Sequence, residues 1–100
     1  ASKISTDARP MLVVFSRDYC TPCQIMKPWL EELATEHPEI DVATVNVDRQ
    51  RNESLGSYFS VSAVPSLLYV DAEGQILRRS EGLANKAAMH NAMRELGWVP

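Results

Sequence analysis

Cys20 and Cys23 are the only cysteines in this 100-residue chain, and two residues separate them. A disulfide between them closes a very small loop and so constrains the unfolded chain little. A structural staple is therefore a poor explanation of the pair. Redox chemistry is a better one. A thiolate at Cys20 can attack a disulfide, and a second sulfur three positions on can displace whatever the first has captured. Zinc would need two further ligands, and His37 and His90 lack the close spacing that such sites use, so no metal ligand is assigned. Covalent haem attachment needs histidine directly after the second cysteine, where this chain has Gln24.

The elements that must position the two sulfurs follow from the pattern around them. Residues 11–15, Met-Leu-Val-Val-Phe, are short, continuously apolar and partly β-branched, which predicts a strand covered on both faces. From Pro22 onward Ile25, Met26, Trp29, Leu30, Leu33 and Ala34 recur at helical spacing and predict a helix over 21–36. Pro22 suits its first turn, whereas Pro28 lies inside the pattern and predicts a kink. Cys20 thus falls where a strand ends and a helix begins. The unpaired N–H groups and positive dipole end of that helix favour an anion there.

His37-Pro38-Glu39 breaks the helix. Residues 40–47, rich in Ile40, Val42, Thr44, Val45 and Val47, predict a second buried strand, and strand–helix–strand makes a right-handed βαβ unit. A short helix is expected over 52–59, with Leu55, Tyr58 and Phe59 facing inward. Residues 66–70 and 75–79, joined by the turn residues 71–74, read as a β-hairpin. A last helix over 85–96 buries Ala88, Met89, Ala92, Met93 and Leu96, with Asn85 as N-cap and Gly97 as stop. The order is β-α-β-α-β-β-α: an N-terminal segment, 1–10, followed by one α/β domain, 11–100.

Composition limits what such a domain can do. At 45% hydrophobic and 23% charged the chain is an ordinary globular protein. Ten basic residues against thirteen acidic ones, a net charge of −3, leave no basic stripe for nucleic acid. The apolar runs at 11–15 and 67–70 are too short to cross a bilayer, so no membrane insertion is expected. The first ten residues lack the apolar stretch of a secretory signal. A cytoplasmic monomer is the expectation, with the periplasm, after signal removal, as the alternative.

Several motifs carry a resemblance. Leu12-Val-Val-Phe15, Cys20-Thr21-Pro22-Cys23, the helix-interior Pro28, Val45-Asn-Val-Asp48, Ala63-Val64-Pro65-Ser66, Gly74 and Gly82 occur in an order and spacing that resemble the thioredoxin family over 11–96. The resemblance implies a thioredoxin-like α/β fold with a central mixed sheet of about four strands flanked by helices. Family members carry a β-α unit before the first central strand. Only ten residues precede Met11, so that unit is expected to be absent, reduced to a stub or trimmed away. Cys20 would be the exposed nucleophile and Cys23 the buried resolving thiol. Pro65 would follow a cis bond beside the disulfide, leaving the backbone of Val64 free to pair with an extended substrate. Tyr19, Thr21, Pro22, Ala63, Val64 and Gly82 would line the docking surface with Pro65. The implied activity is thiol–disulfide exchange with protein substrates, without a bound cofactor, fed or drained by a partner reductase or oxidase. Thr21 and Pro22 add no charge beside Cys20, which favours a reductase over an oxidase. The rival reading is a thioredoxin-fold adaptor or chaperone-like module whose cysteines are incidental.

The departures from the family matter too. Tyr19 stands where tryptophan is usual and Thr21 where glycine is usual. Val14 and Thr44 replace a buried aspartate and a neighbouring lysine, which predicts slower resolution of the mixed disulfide near neutral pH. Met26, Trp29, Met89 and Met93 read as core. Arg17 and Asp18 read as solvated charges flanking the loop, and neither His37 nor His90 has a partner within reach in sequence.

Overall fold

The computed structural model describes residues 9–49, 57–59 and 61–100. Strand β1 (Met11–Ser16) leads into helix α1 (Thr21–Glu36), which crosses over to strand β2 (Asp41–Asn46). Strands β3 (Ser66–Val70) and β4 (Ile76–Glu81) form the hairpin, and helix α2 (Lys86–Glu95) follows. The four strands make one sheet in the order β2-β1-β3-β4. β2 pairs parallel to β1, β3 antiparallel to β1, and β4 antiparallel to β3. The expected mixed four-stranded α/β sheet is present.

β1 and β3 occupy the centre, and their continuously apolar sequences are buried, as two-sided coverage demands. Alternation then divides the core in two. Leu12, Val14, Leu67 and Tyr69 face α1 and α2, packing with Met26, Leu30 and Leu33 of the first helix and Met89, Ala92 and Met93 of the second. Met11, Val13, Phe15, Leu68 and Val70 face the other way, against the partly buried Ala43, Val45, Val47, Phe59, Val61 and Val64.

Several expectations are corrected here. β2 is only half-buried, with Thr44 exposed, because among the described residues it pairs with β1 alone. Ile25 is 44% exposed: the core stripe of α1 runs through Met26, Leu30 and Leu33, and Ile25 lies just off it. Ala88 is exposed at the start of α2, where its N–H bonds the Asn85 side chain at 2.8 Å. Of the helix expected over 52–59, residues 52–56 lie outside the described residues, and Ser57 and Tyr58 are helical. Tyr58 is 79% exposed rather than inward, while Phe59 meets Phe15 with ring centroids 5.9 Å apart. The question of a β-α unit before β1 falls mostly on residues 1–8, outside the described residues.

Local chemistry sets the helix ends. Pro28 sits within an uninterrupted α1, leaving the carbonyl of Gln24 without its helical donor. α2 stops at Gly97, whose φ of +79° suits glycine, with the Trp98 N–H bonding Met93 O at 2.9 Å. Lys86 of α2 bridges Glu32 and Glu36 of α1 at 2.9 and 2.7 Å.

Candidate functional site

Three chain segments reach the same end of the sheet. β1 ends at Ser16 and feeds α1. The register pairs Phe15 with Ser66, so the residues before β3 arrive beside the end of β1. Ser66 in turn pairs with Glu81, which brings Gly82 to the same edge. The Gly82 N–H closes the group by donating to Pro65 O at 2.8 Å. Gly82 holds φ at +91°, a conformation costly to any residue with a Cβ.

Cys20 is the N-cap of α1. Its backbone is extended (φ −108°, ψ 103°), and its Sγ accepts the Cys23 N–H at 3.3 Å. A sulfur thus takes the place that a serine or aspartate oxygen usually fills. Pro22 lies in the first turn, and no acidic residue does, so no carboxylate competes for the positive end of the helix. Cys20 and Cys23 are joined as a disulfide with their Cα atoms 5.2 Å apart.

Exposure differs from the expectation. Cys20 is buried, at 7% exposed, and Cys23 is half-buried. Cys23 borders a groove of about 810 Å³ between α1 and β2. Cys23, Lys27, Glu31 and Ala34 line one wall at helical spacing, with Val14, Val42 and Thr44 opposite. Val14 and Thr44 are direct cross-strand partners. The two departures from the family pattern therefore face the same groove as the second sulfur.

Val64–Pro65 is cis. Pro65 is buried, Val64 half-buried and Ala63 exposed, while Ser66 Oγ donates to Ala63 O at 2.5 Å. A second cavity of about 310 Å³ adjoins this turn, lined by Val61, Ser62, Ala63 and Val64 together with Arg17, Val47 and Ser57. Tyr19 projects fully into solvent, and its φ of +57° is in the left-handed region. Thr21 is exposed and Pro22 half-buried. All the residues expected to dock substrate thus sit on the three segments that meet at this end.

Sequence reasoning missed a polar network behind Tyr19. The Asp18 N–H donates to Asp48 Oδ2 at 2.8 Å, and Asn46 Nδ2 donates to Asp18 Oδ1 at 3.0 Å. Arg17 reaches Asp48 at 3.4 Å and Arg49 reaches Asp18 at 3.7 Å. Arg17 and Asp18 are therefore not simply solvated charges. The signal was the Asn46-x-Asp48 spacing at the end of β2, where an asparagine side chain can accept the N–H two residues on and turn the chain, as Asn46 Oδ1 does for Asp48 at 2.8 Å. The histidines are also corrected. His37 and His90 meet with ring centroids 5.3 Å apart, far from the sulfurs, where the end of α1 approaches α2.

Comparison with known proteins agrees with this geometry. The thioredoxin family profile matches residues 1–95. The thioredoxin of Mycobacterium tuberculosis is 33% identical over 99 residues, covering 99% of this chain and 81% of that protein. A bifunctional thioredoxin reductase/thioredoxin from Mycobacterium leprae is 34% identical over 82 residues, covering 81% of this chain and 17% of that protein. The structure of Fasciola hepatica thioredoxin superposes with a TM-score of 0.83 at 30% identity, covering 94% of this chain and 88% of that one.

Proposed function

The chain belongs to the thioredoxin family, and on that premise we propose how its residues divide the work of a thiol–disulfide oxidoreductase acting on proteins. Residues 11–100 form the working domain. The reduced Cys20 thiolate attacks a substrate disulfide, forms the mixed disulfide and releases one substrate sulfur as thiolate. Cys23 then attacks the Cys20 sulfur, closes the 20–23 disulfide and frees the second substrate sulfur, so that two electrons pass to the substrate. The observation that carries this reading is the position of Cys20 as N-cap, its sulfur on the Cys23 N–H at 3.3 Å. An anion at that atom gains both a backbone donor and the helix dipole. The sulfur is recessed, so substrate must approach over Tyr19, Thr21 and Pro22 from one side and Ala63, Val64 and Gly82 from the other. An extended substrate segment pairs with the backbone at Val64, next to Pro65, in the manner of an added strand.

The direction proposed is reduction. The motif residues Thr21 and Pro22 supply no charge that would hold the reduced form as the strongly oxidising members do. A titration against glutathione tests this, with a potential near the thioredoxin value of about −270 mV expected rather than one near −120 mV. A partner reductase, of the kind named together with thioredoxin in the bifunctional Mycobacterium leprae relative, would return the electrons. Among the described residues no helix is long and apolar enough to cross a membrane; the location and state proposed are those of a cytoplasmic monomer. An adaptor with incidental cysteines is not favoured, since both sulfurs sit paired at the helix mouth.

The decisive experiment is alkylation of the reduced protein at neutral pH, beside insulin reduction with dithiothreitol. Cys20 is expected to react faster than a free thiol, and Cys20→Ser to abolish turnover. Equal reactivity, or turnover surviving in Cys20→Ser, overturns the assignment.

A further inference from the structure

Tyr19 combines two features that need an explanation together. Its backbone is held at φ +57°, where residues with a Cβ are uncommon, yet its side chain is entirely exposed and so packs against nothing that would hold it there. The restraint must come from its neighbours. Directly before it, the Asp18 N–H is bonded to Asp48 Oδ2 at 2.8 Å, and the Asp18 carboxylate is bonded by Asn46 at 3.0 Å. Asp48 is itself oriented by the Arg17 guanidinium at 3.4 Å and anchored by its own N–H on Asn46 Oδ1 at 2.8 Å. The anchor is firm, because the pairing of β1 with β2 continues through Val47 N–H to Ser16 O at 2.8 Å.

We infer that Asp48 is a positioning residue for docking of protein substrates: it clamps the loop before Cys20 to the end of β2, so that Tyr19 is presented outward beside the attacking sulfur. The inference rests on the reading of Tyr19 as a docking residue. Arg17, Arg49, Asp18 and Asp48 all keep about a third or more of their side chains in solvent, where a single charge is largely screened. The effect of the clamp therefore falls on substrate affinity rather than on sulfur reactivity. A loop whose backbone is already held also loses less freedom on binding than one that must first be arranged.

The test uses the reduced full chain in single turnover with a protein disulfide, insulin, and with a small aromatic disulfide that needs no docking surface. Asp48→Ala is expected to raise the half-saturating insulin concentration about three- to tenfold, the range for losing one exposed charge-assisted hydrogen bond. The limiting rate and the rate with the small disulfide stay unchanged. Asp48→Asn, which keeps an acceptor for the Asp18 N–H, restores most of the affinity. Asp48→Ala added to Tyr19→Ala has little further effect, since both act through one contact.

Equal losses with insulin and the small disulfide would mean that Asp48 acts on the sulfurs or the fold, and would overturn the inference. So would an unchanged Asp48→Ala beside a Tyr19→Ala that binds insulin weakly, in which case the docking role of Tyr19 survives alone. If Tyr19→Ala itself binds insulin normally, the docking reading fails and the clamp inference fails with it.

Discussion

The two faces of the sheet have the same kind of residue and different duties. Toward the helices, Leu12, Val14, Leu67 and Tyr69 are enclosed by buried side chains from both α1 and α2. On the other side Met11, Val13, Phe15, Leu68 and Val70 are covered by residues that are themselves only partly buried, including Phe59, Val61 and Val64. The last two of these lead into the turn before β3. One face is built against rigid elements and holds the molecule together. The other shares its cover with the segment proposed to meet the substrate, so packing there reaches the site.

Leu67 and Leu68 offer the sharpest way to break this comparison. They are adjacent in β3, 0% and 1% exposed, and point to opposite faces. Leucine-to-alanine losses span about 3–5 kcal/mol, larger where the surroundings cannot collapse into the cavity. Leu67→Ala is expected near the top of that range, with normal activity in the molecules that remain folded. Leu68→Ala belongs near the bottom, with weakened insulin turnover. Urea melts beside single-turnover assays decide, and equal costs with equal activity would erase the distinction.

Val14→Asp probes the helix-covered face where it borders the groove beside Cys23. Burying a carboxyl group at a site 2% exposed is expected to cost about 1–3 kcal/mol while it is neutral, and more once it ionises. In exchange, a proton acceptor faces the groove that reaches Cys23, and resolution of the mixed disulfide near neutral pH should quicken. An unchanged rate and pH profile would remove the proposed handicap of a valine there.

A smaller effect marks the same face at high pH. Burial pushes the Tyr69 hydroxyl up to about 12, against a weaker opposing pull from Arg78. The unfolded chain ionises first, near 10, so the native state binds more protons between these values and stability falls as pH rises from 10 toward 12. Tyr69→Phe should flatten that alkaline decline, measured by melts across the range.

The smallest effect is expected at the Lys86 bridge between the two helices. Its hydrogen bond holds the Glu36 carboxyl below the usual 4.5, so that contribution is present above pH 4.5 and fades as pH falls through the lowered value. Glu36 and Glu32 likewise hold Lys86 above its usual 10.5, a contribution present below that pH and lost as pH climbs past it. All three side chains are solvent-screened, so Lys86→Met should lower the melting temperature only slightly near neutral pH and not at all in strong acid.

Much of this was legible because local rules agree with the fold. β1 and β3 are continuously apolar since both of their faces are covered, and α1 runs over the predicted 21–36 because its cap, first-turn proline and stripe all coincide. β2 misled because β-branched residues also suit a half-covered edge. Ile25 and Ala88 misled because a spacing of three or four residues leaves the edges of a helical stripe ambiguous. At the site, the cysteine pair could be read from spacing alone, whereas which sulfur is recessed could not. That depends on how the chain segments pack around the mouth of the helix. The clamp was harder still, since it joins residues some 30 positions apart, as the Asp18–Asp48 contact does, and only the register of β1 with β2 brings them together.

The Cys20 cap has a spectroscopic consequence. The Cys23 amide proton points at an atom whose electron count changes in every catalytic cycle, from half of a disulfide to a free anion and back. A more electron-rich acceptor shortens and strengthens such a bond. Solvent exchange and chemical shift at this one backbone position therefore follow the oxidation state of the protein, giving a built-in gauge that needs no label.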